Sequence, residues 1–277
     1  MVPATERALT GRTRLVPILA YPGTHVRAPV VYNPAFAREG LDWLLLVMSV
    51  HPDAVGEVID ALARVGNVQG LNITIPHKAA AFERCARVGP QAQATGVVNT
   101  MRREADGSWS GEMFDGLGFI GAAREHQVLQ LERPVLLVGC GGAGTAIAFA
   151  LAEAGARALQ LVDTDPDRVD RLAQRLAAAY PRLAITAQAQ FDLAGLVINA
   201  TPLGHDAGDP LPFDPAGLRP DATVFDINAA RATELVAAAT ARGLRAVGGG
   251  PMIEHQMAAQ IRFWRGLDGL QSLQERK

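Results

Sequence analysis

The stretch PVLLVGCGGAG, residues 134–144, decides the fold of the second half of this chain. Its first part, Pro134–Val138, is continuously apolar, which is typical of a parallel strand with both faces covered. Glycine-rich sequence follows at once, and an alanine-rich stretch up to Gly155 predicts a helix. The next apolar run, 158–162, ends at Asp163. This order of strand, glycine loop, helix, strand and acid predicts a Rossmann-like dinucleotide-binding unit.

The glycines of the loop have separate physical roles in such a site. Gly139 allows a tight turn, Gly141 lets the backbone approach a pyrophosphate, and Gly144 lets the helix pack closely on the strand. The helix N-terminus offers free N–H groups to phosphates, so Gly142 and Ala143 belong to the predicted site as well. A glycine-rich turn without a ligand, or a site for another nucleotide such as FAD, is the alternative.

Asp163 predicts which dinucleotide binds. It follows Gly144 by about 20 residues, the place of an acid that accepts hydrogen bonds from ribose hydroxyls. A carboxylate there would repel a 2′-phosphate. The predicted cofactor is therefore NAD, with NADP possible but disfavoured.

Strands and helices alternate through the rest of the chain. Before the glycine loop, the apolar runs 44–48 and 71–73 predict strands, and helical patterns begin near Val55 and His77. After it, further strands are predicted at 196–198, 223–225 and 244–247, with helices between. The alternation predicts an α/β fold with mostly parallel sheets.

A polar, glycine-rich segment, 102–117, separates the two series and predicts a hinge or hairpin. We expect a first α/β domain with a mostly parallel sheet over residues 1–114, completed by a C-terminal helix, 251–277. The Rossmann-like domain then covers 115–250, and a cleft lies between the two domains.

The composition excludes two broad classes of protein. Hydrophobic residues make up 49%, charged residues 19%, and the mean hydropathy is +0.11, values that a disordered chain does not have. The chain has 26 Lys and Arg against 28 Asp and Glu, a net charge of −2. It therefore lacks the basic excess of a nucleic-acid-binding protein, and a small molecule is the expected partner.

The cysteines and the apolar segments indicate the cellular compartment that we expect for this protein. The two cysteines, Cys85 and Cys140, lie far apart in the chain, which favours free thiols in a reducing cytoplasm. The apolar runs Leu15–Tyr21 and Leu41–Val50 are too short to span a bilayer. We expect a soluble cytoplasmic protein with no membrane association, either a monomer or a homodimer.

A candidate reaction centre lies in the stretch NITIPHK, residues 72–78. Thr74 is predicted as an N-cap and Pro76 as a first-turn residue, which places Lys78 in the first turn of a helix. A lysine at that position suits a general base, whereas a lysine on a solvated surface is the alternative.

Two further polar residues are candidates for the same cleft. Asn99 ends an apolar run, and Asp115 lies just before the second domain, although Asp115-Gly116 alone is typical of a turn. The six histidines form no pair with the spacing of metal ligands, so no metal is predicted.

The order of these motifs resembles the shikimate and quinate dehydrogenase family, from about Leu15 to Gly266. The motifs that carry the resemblance are NITIPHK at 72–78, GVVNT at 96–100, DGLG at 115–118, the glycine loop, NATPLG at 199–204 and GPMIEHQ at 250–256. The resemblance implies that the first domain binds the substrate and that Lys78 and Asp115 are a catalytic pair. It further implies substrate contacts from Asn72, Thr74, Asn99 and Gln256. The cofactor's nicotinamide end would lie beside Asn199, Thr201 and Pro202.

The resemblance is weakest at the family's carboxylate-binding motif, in which one residue separates two serines. Val26 and Ala28 occupy the two serine positions, so both hydroxyls are missing. Arg27, between them, is predicted to grip a substrate carboxylate instead. The alternatives are that Arg27 is simply solvated and that the substrate ring is more apolar or differently substituted.

Three more departures surround the predicted reaction centre. Ala229 stands where the family has a tyrosine that contacts substrate, and Met113 and Phe114 replace the small polar residues before Asp115. Together with the lost serines, they leave the exact substrate open.

The implied activity is hydride transfer between a secondary hydroxyl of a shikimate- or quinate-like ring and NAD(P), without a metal. Lys78 would accept the hydroxyl proton, and Asp115 would hold the hydroxyl and stabilise the resulting lysinium. Two alternatives stay open: a non-catalytic or regulatory NAD-binding protein that retains the fold, and a different two-domain dehydrogenase, acting on an amino acid or methylenetetrahydrofolate.

Overall fold

The computed structural model describes residues 8–206, 208–228 and 233–267, and it places two six-stranded sheets in the chain. The first sheet contains β1 (Arg14–Ala20), β2 (Trp43–Ser49), β3 (Gly70–Ile73), β4 (Arg87–Val88), β5 (Thr100–Arg103) and β6 (Trp109–Glu112). The helices among these strands are α1 (Ala28–Arg38), α2 (Val55–Leu62), α3 (Lys78–Glu83) and α4 (Pro90–Thr95).

The first sheet has the strand order β2-β1-β3-β5-β6-β4. Strands β2, β1 and β3 run parallel, as do β6 and β4, whereas β5 is antiparallel to both of its neighbours. Strands β5 and β6 form the hairpin predicted in the polar segment 102–117. The sheet is therefore mostly parallel, as predicted.

The second sheet is parallel throughout. It contains β7 (Val135–Val138), β8 (Ala158–Val162), β9 (Ala184–Thr186), β10 (Leu196–Asn199), β11 (Thr223–Asp226) and β12 (Arg245–Val247), with helices α6 (Gly142–Glu153), α7 (Pro166–Ala179) and α8 (Glu234–Ala241). The strand order is β12-β11-β10-β7-β8-β9, which reverses direction between β10 and β7. This is the Rossmann order, and its crevice opens at the carboxyl ends of β7 and β10. The predicted α/β fold class is confirmed.

Two helices join the halves of the molecule. Helix α5 (Asp115–Glu125) packs against α6 and against α9 (Gly250–Trp264), and α9 also contacts α1 and β5. Trp264 is fully buried, and its indole N–H donates a hydrogen bond to the Met101 carbonyl at 3.1 Å. Helix α9 therefore packs on the first sheet, although it follows the second in sequence. The domain boundaries at residues 114 and 250 stay a prediction.

Two local expectations differ from the structure. Asp115-Gly116 begins a helix instead of forming a turn, because Gly116 has no side chain and lets α5 approach α6. A Cβ at Gly116 would lie 2.8 Å from the Ala146 carbonyl oxygen. The helix predicted over 251–277 ends at Trp264, because Gly266 adopts a left-handed φ of +67°. Residues 268–277 lie outside the described part of the chain.

Within the residues that the structure describes, every helix is too short or too polar to cross a membrane.

Candidate active site

Lys78 and Asp115 form a buried ion pair between Nζ and Oδ2. Each residue is the first of its helix, α3 and α5 respectively, and they are 8% and 5% exposed. The predicted N-cap at Thr74 is wrong: the His77 N–H donates to the Thr74 carbonyl at 2.9 Å, which closes a turn before the helix and makes His77 the cap residue. The turn still delivers Lys78 to the cleft.

Asn99 orders the other side of the Asp115 carboxylate. Its Nδ2 donates to Asp115 Oδ1 at 2.7 Å and to Gln256 Oε1 at 3.1 Å. Its Oδ1 accepts from the Thr100 hydroxyl at 2.8 Å and from the Phe114 N–H at 3.1 Å. Asp115 therefore receives a lysine on one oxygen and an amide on the other.

One pocket brings together most of the predicted substrate site. Its lining includes Arg27, Asn72, Thr74, Lys78, Asn99, Asp115 and Gln256 from the first series of elements and α9, and Ala143 from the glycine loop. The pocket also contains residues that the sequence reasoning missed: His25, Tyr32, His205 and Asn228. His25 and His205 come from the two halves of the chain, and their ring centroids are 4.9 Å apart. The sequence offered one signal for this pair: His25 directly precedes the segment 26–28, and His205 directly follows the motif 199–204.

The pocket wall at the expected carboxylate site is apolar. Val26 and Ala28 line it, while Arg27 is exposed at the N-cap of α1. Met113 and Phe114 do not border the pocket: each is 2% exposed and packs in an apolar core, Phe114 edge-on to Phe263. Met113 and Phe114, which stand where the family has small polar residues, therefore affect the packing of the core and not the surface of the pocket. Ala229 lies outside the described residues.

The glycine loop has the shape that a dinucleotide needs. Gly139 has a φ of +104°, and a Cβ there would lie 2.6 Å from the Ala200 carbonyl carbon. A Cβ at Gly144 would overlap the Gly139 carbonyl oxygen, whereas one at Gly141 would meet nothing within 4 Å among the described residues. Packing thus requires glycine at positions 139 and 144, whereas the backbone at Gly141 is open. Because Gly141 is also the N-cap of α6, this loop fits a phosphate.

Asp163 lies directly after β8 and hydrogen-bonds to the backbone of the glycine loop. Its Oδ2 accepts the Cys140 N–H at 2.7 Å, and its Oδ1 accepts the Asp165 N–H at 2.9 Å. Arg168, in the first turn of α7, pairs with Asp165 at 3.3 Å. The residues after β8 therefore present carboxylates, with their neighbouring arginine already engaged.

The turn after β10 is built by Asn199. This residue is 0% exposed, its Nδ2 donates to the Leu203 carbonyl at 3.0 Å, and its Oδ1 accepts from the Thr201 hydroxyl at 2.7 Å. Asn228 supports the same turn by donating to the Leu203 carbonyl at 2.7 Å. Asn199 therefore shapes the turn that presents Thr201 and Pro202, and it has no exposed surface of its own for a cofactor.

Comparisons with known proteins agree with this geometry. Residues 18–101 match the family model described as the shikimate dehydrogenase substrate binding domain. The chain is 36% identical to the shikimate dehydrogenase (NADP(+)) of Rubrobacter xylanophilus, over 94% of this chain and 93% of that protein.

Two solved structures share the whole architecture. The shikimate dehydrogenase of Aquifex aeolicus aligns with a TM-score of 0.84 and 25% identity, over 98% of this chain and 100% of that one. The quinate dehydrogenase of Corynebacterium glutamicum, solved in complex with NAD, aligns with a TM-score of 0.79 and 28% identity, over 95% and 97%.

Proposed function

This chain belongs to the shikimate dehydrogenase family, and from that premise we propose that it interconverts a hydroxyl and a ketone on a shikimate- or quinate-like ring. The observation that carries the proposal is the Lys78–Asp115 pair. It is buried in a pocket that Ala143 of the glycine loop also borders. A hydroxyl held by the pair would therefore lie within reach of a dinucleotide bound to that loop.

Lys78 and Asp115 supply the proton chemistry. When bound, the dinucleotide supplies the hydride acceptor or donor. During oxidation the Lys78 amine accepts the proton of the substrate hydroxyl, and during reduction the lysinium returns it to the carbonyl oxygen. Asp115 stabilises the lysinium through its Oδ2 and offers the same carboxylate to the substrate hydroxyl.

The uncharged polar side chains of the pocket would hold the remaining hydroxyls of the substrate ring. Asn72, Thr74 and Gln256 border the pocket with polar side chains, whereas the oxygen and both amide hydrogens of the Asn99 side chain are already engaged. A ring hydroxyl that binds Asn99 therefore has to replace its 3.1 Å contact with Gln256. The cleft positions the reacting carbon, which supplies much of the rate of such a reaction.

Arg27 is proposed to bind the substrate carboxylate. Val26 and Ala28 provide no hydroxyl donor to the pocket, whereas the exposed Arg27 between them has a planar guanidinium that can bind a carboxylate through two hydrogen bonds. If Arg27→Ala leaves the KM for an acidic substrate unchanged, this role is wrong.

NAD is the proposed preferred cofactor. The carboxylates of Asp163 and Asp165 follow β8, where a 2′-phosphate would meet them, and Arg168 is paired with Asp165. The quinate dehydrogenase of Corynebacterium glutamicum was solved with NAD, whereas the Rubrobacter relative is named for NADP(+). The carboxylates of Asp163 and Asp165 favour NAD over NADP.

The test is the initial rate of NAD(P)H formation with shikimate and with quinate, each with NAD and with NADP. We expect turnover with NAD, and a loss of about 10²-fold to 10⁴-fold in kcat for Lys78→Met, the usual contribution of a general base. NAD binding, measured by calorimetry, should survive this substitution.

The lost hydroxyls at positions 26 and 28 favour a second candidate, an NAD-binding protein without catalysis. Tight NAD binding with no turnover across a broad panel of ring alcohols would support that candidate and contradict the first.

A further inference from the structure

Four side-chain hydrogen bonds connect Tyr32 to Asp115 through the interior of the first domain. The Tyr32 hydroxyl donates to Gln260 Oε1, and Gln260 Nε2 donates to the Thr100 hydroxyl at 2.7 Å. Thr100 then donates to Asn99 Oδ1 at 2.8 Å, and Asn99 Nδ2 donates to Asp115 Oδ1 at 2.7 Å. Tyr32, Gln260 and Thr100 lie in α1, α9 and β5 respectively, and none of them is more than 1% exposed.

All four hydrogen bonds have the same direction. The phenol hydrogen of Tyr32 goes to Gln260, whose amide hydrogens face Thr100. Each donor is fixed by the previous one, and the series ends on the carboxylate of the ion pair. Hydrogen bonds arranged in this way polarise one another.

The direction determines which face of the Asn99 amide meets Asp115. The Phe114 backbone N–H can only donate, so the Asn99 atom facing it is the oxygen. Thr100 has one hydroxyl hydrogen, and because Gln260 donates to its oxygen, that hydrogen is left for Asn99. Two donors thus hold Oδ1, and Nδ2 is turned toward Asp115. A reversed Asn99 would place an amide oxygen against a carboxylate oxygen.

We propose that Tyr32, Gln260 and Thr100 are positioning residues that orient the Asn99 amide toward Asp115 for the reaction. This inference rests on the proposed function of Lys78 and Asp115. The three residues act through Asn99, because every hydrogen-bonding group that the relay uses is turned toward a protein neighbour. We call the series from Tyr32 to Asp115 the relay.

Thr100 offers the sharpest test of the relay, because valine keeps its shape and serine keeps its hydroxyl. We expect Thr100→Val to lower kcat by about tenfold, in line with the loss of one buried hydrogen bond, with no change in the KM for the dinucleotide. Thr100→Ser should recover most of this loss. Thr223→Val is the matched control: Thr223 is also buried, but its hydroxyl donates to the Val128 carbonyl in the second domain.

A double-mutant cycle separates a relay from three independent contacts. Gln260→Met should lower kcat by about as much as Thr100→Val, and the double variant should be no slower than either single variant. Tyr32→Phe, which removes only the hydroxyl, should lower kcat less. Additive losses in the double variant, or equal kcat values for Thr100→Val and Thr223→Val, would overturn the relay.

A second readout does not depend on the substrate. The side-chain NH₂ resonances of Asn99 can be assigned in ¹⁵N-labelled protein by their absence from Asn99→Asp. We expect them to shift and to exchange faster with solvent in Thr100→Val and Gln260→Met, but not in Thr223→Val. If the wild type oxidises neither acid, the proposed function is wrong. Unchanged Asn99 resonances in both relay variants would show instead that the relay is wrong.

Discussion

The Asp163 carboxylate accepts the backbone N–H of Cys140 at 2.7 Å, which ties the end of β8 to the glycine loop. The residue that the sequence assigns to ribose recognition therefore also supports the phosphate loop. Its second oxygen accepts the Asp165 N–H at 2.9 Å, so a ribose hydroxyl would share an oxygen that is already engaged. We therefore expect cofactor choice and loop geometry to depend on this one side chain.

This double role makes Asp163→Asn and Asp163→Ala behave differently. Asparagine keeps an acceptor for Cys140 but removes the charge, so the NAD-over-NADP ratio of kcat/KM should fall by about tenfold or more, the cost of a contact to a charged group. Alanine also releases the loop, so the KM for both dinucleotides should rise. Steady-state kinetics with each cofactor check this. An unchanged ratio in Asp163→Asn would contradict the role of the charge.

The apolar wall formed by Val26 and Ala28 predicts a gain of affinity on restoring the hydroxyls. A hydrogen bond to a carboxylate contributes about 1.5–3 kcal/mol, or about tenfold to 100-fold in affinity, so the two hydroxyls of Val26→Ser with Ala28→Ser should together lower the KM for shikimate by about 10²-fold to 10⁴-fold. Val30→Ser, at a residue of α1 that is 65% exposed, is the control. If the double variant binds shikimate no better than the control, the ring does not place its carboxylate at this wall.

Glu112 gives the stability of the first domain a pH dependence. It is 1% exposed, its Oε1 accepts the N–H groups of Ala92 and Met113, and its Oε2 has no partner among the described residues. Burial raises the pKa of Glu112 to about 7, although the backbone N–H groups oppose the shift. The folded state therefore binds this proton more tightly than the unfolded state.

The free energy of unfolding should accordingly fall as the pH rises from about 4.5 to about 7, by roughly 3 kcal/mol from this group. Glu112→Gln should remove that decline, because glutamine does not titrate. Urea denaturation at pH 5 and pH 8 measures the effect, with Glu57→Gln at an exposed site of α2 as the matched control. Parallel stability profiles for the wild type and Glu112→Gln would contradict the assignment.

Arg175 joins the two halves of the chain. From α7 it donates to the carbonyl of Thr95 at 2.7 Å and to that of Ala94, at the C-terminal end of α4, and it lies over the Phe149 ring. Arg175→Met should lower the free energy of unfolding by about 1–3 kcal/mol, because these carbonyls lose a charged donor. Thermal denaturation tests this, and Arg175→Lys, which retains one donor, should lose less. Equal melting temperatures for the wild type and Arg175→Met would contradict this stabilising role of Arg175.

The sequence was most informative where one local pattern dictates one structure. The run 134–144 predicts β7, the loop and α6 because strand, glycine and helix signals follow one another without a gap. It was less informative for β1 and α1. Strand β1 contains Pro17 and α1 contains Pro34, and proline ordinarily argues against regular structure.

The sequence by itself determined the α/β class, the glycine loop and the polar groups at the centre of the pocket, among them Lys78, Asn99 and Asp115. Only the tertiary structure decided how those groups meet. Tyr32, Thr100 and Gln260 lie in separate elements, and hydrogen bonds between residues so distant in sequence leave no local pattern. The structure also decided that Phe114 packs against Phe263 instead of facing the substrate. Side-chain direction at the start of a helix depends on what the helix packs against, because burial, not local propensity, selects the face that turns inward.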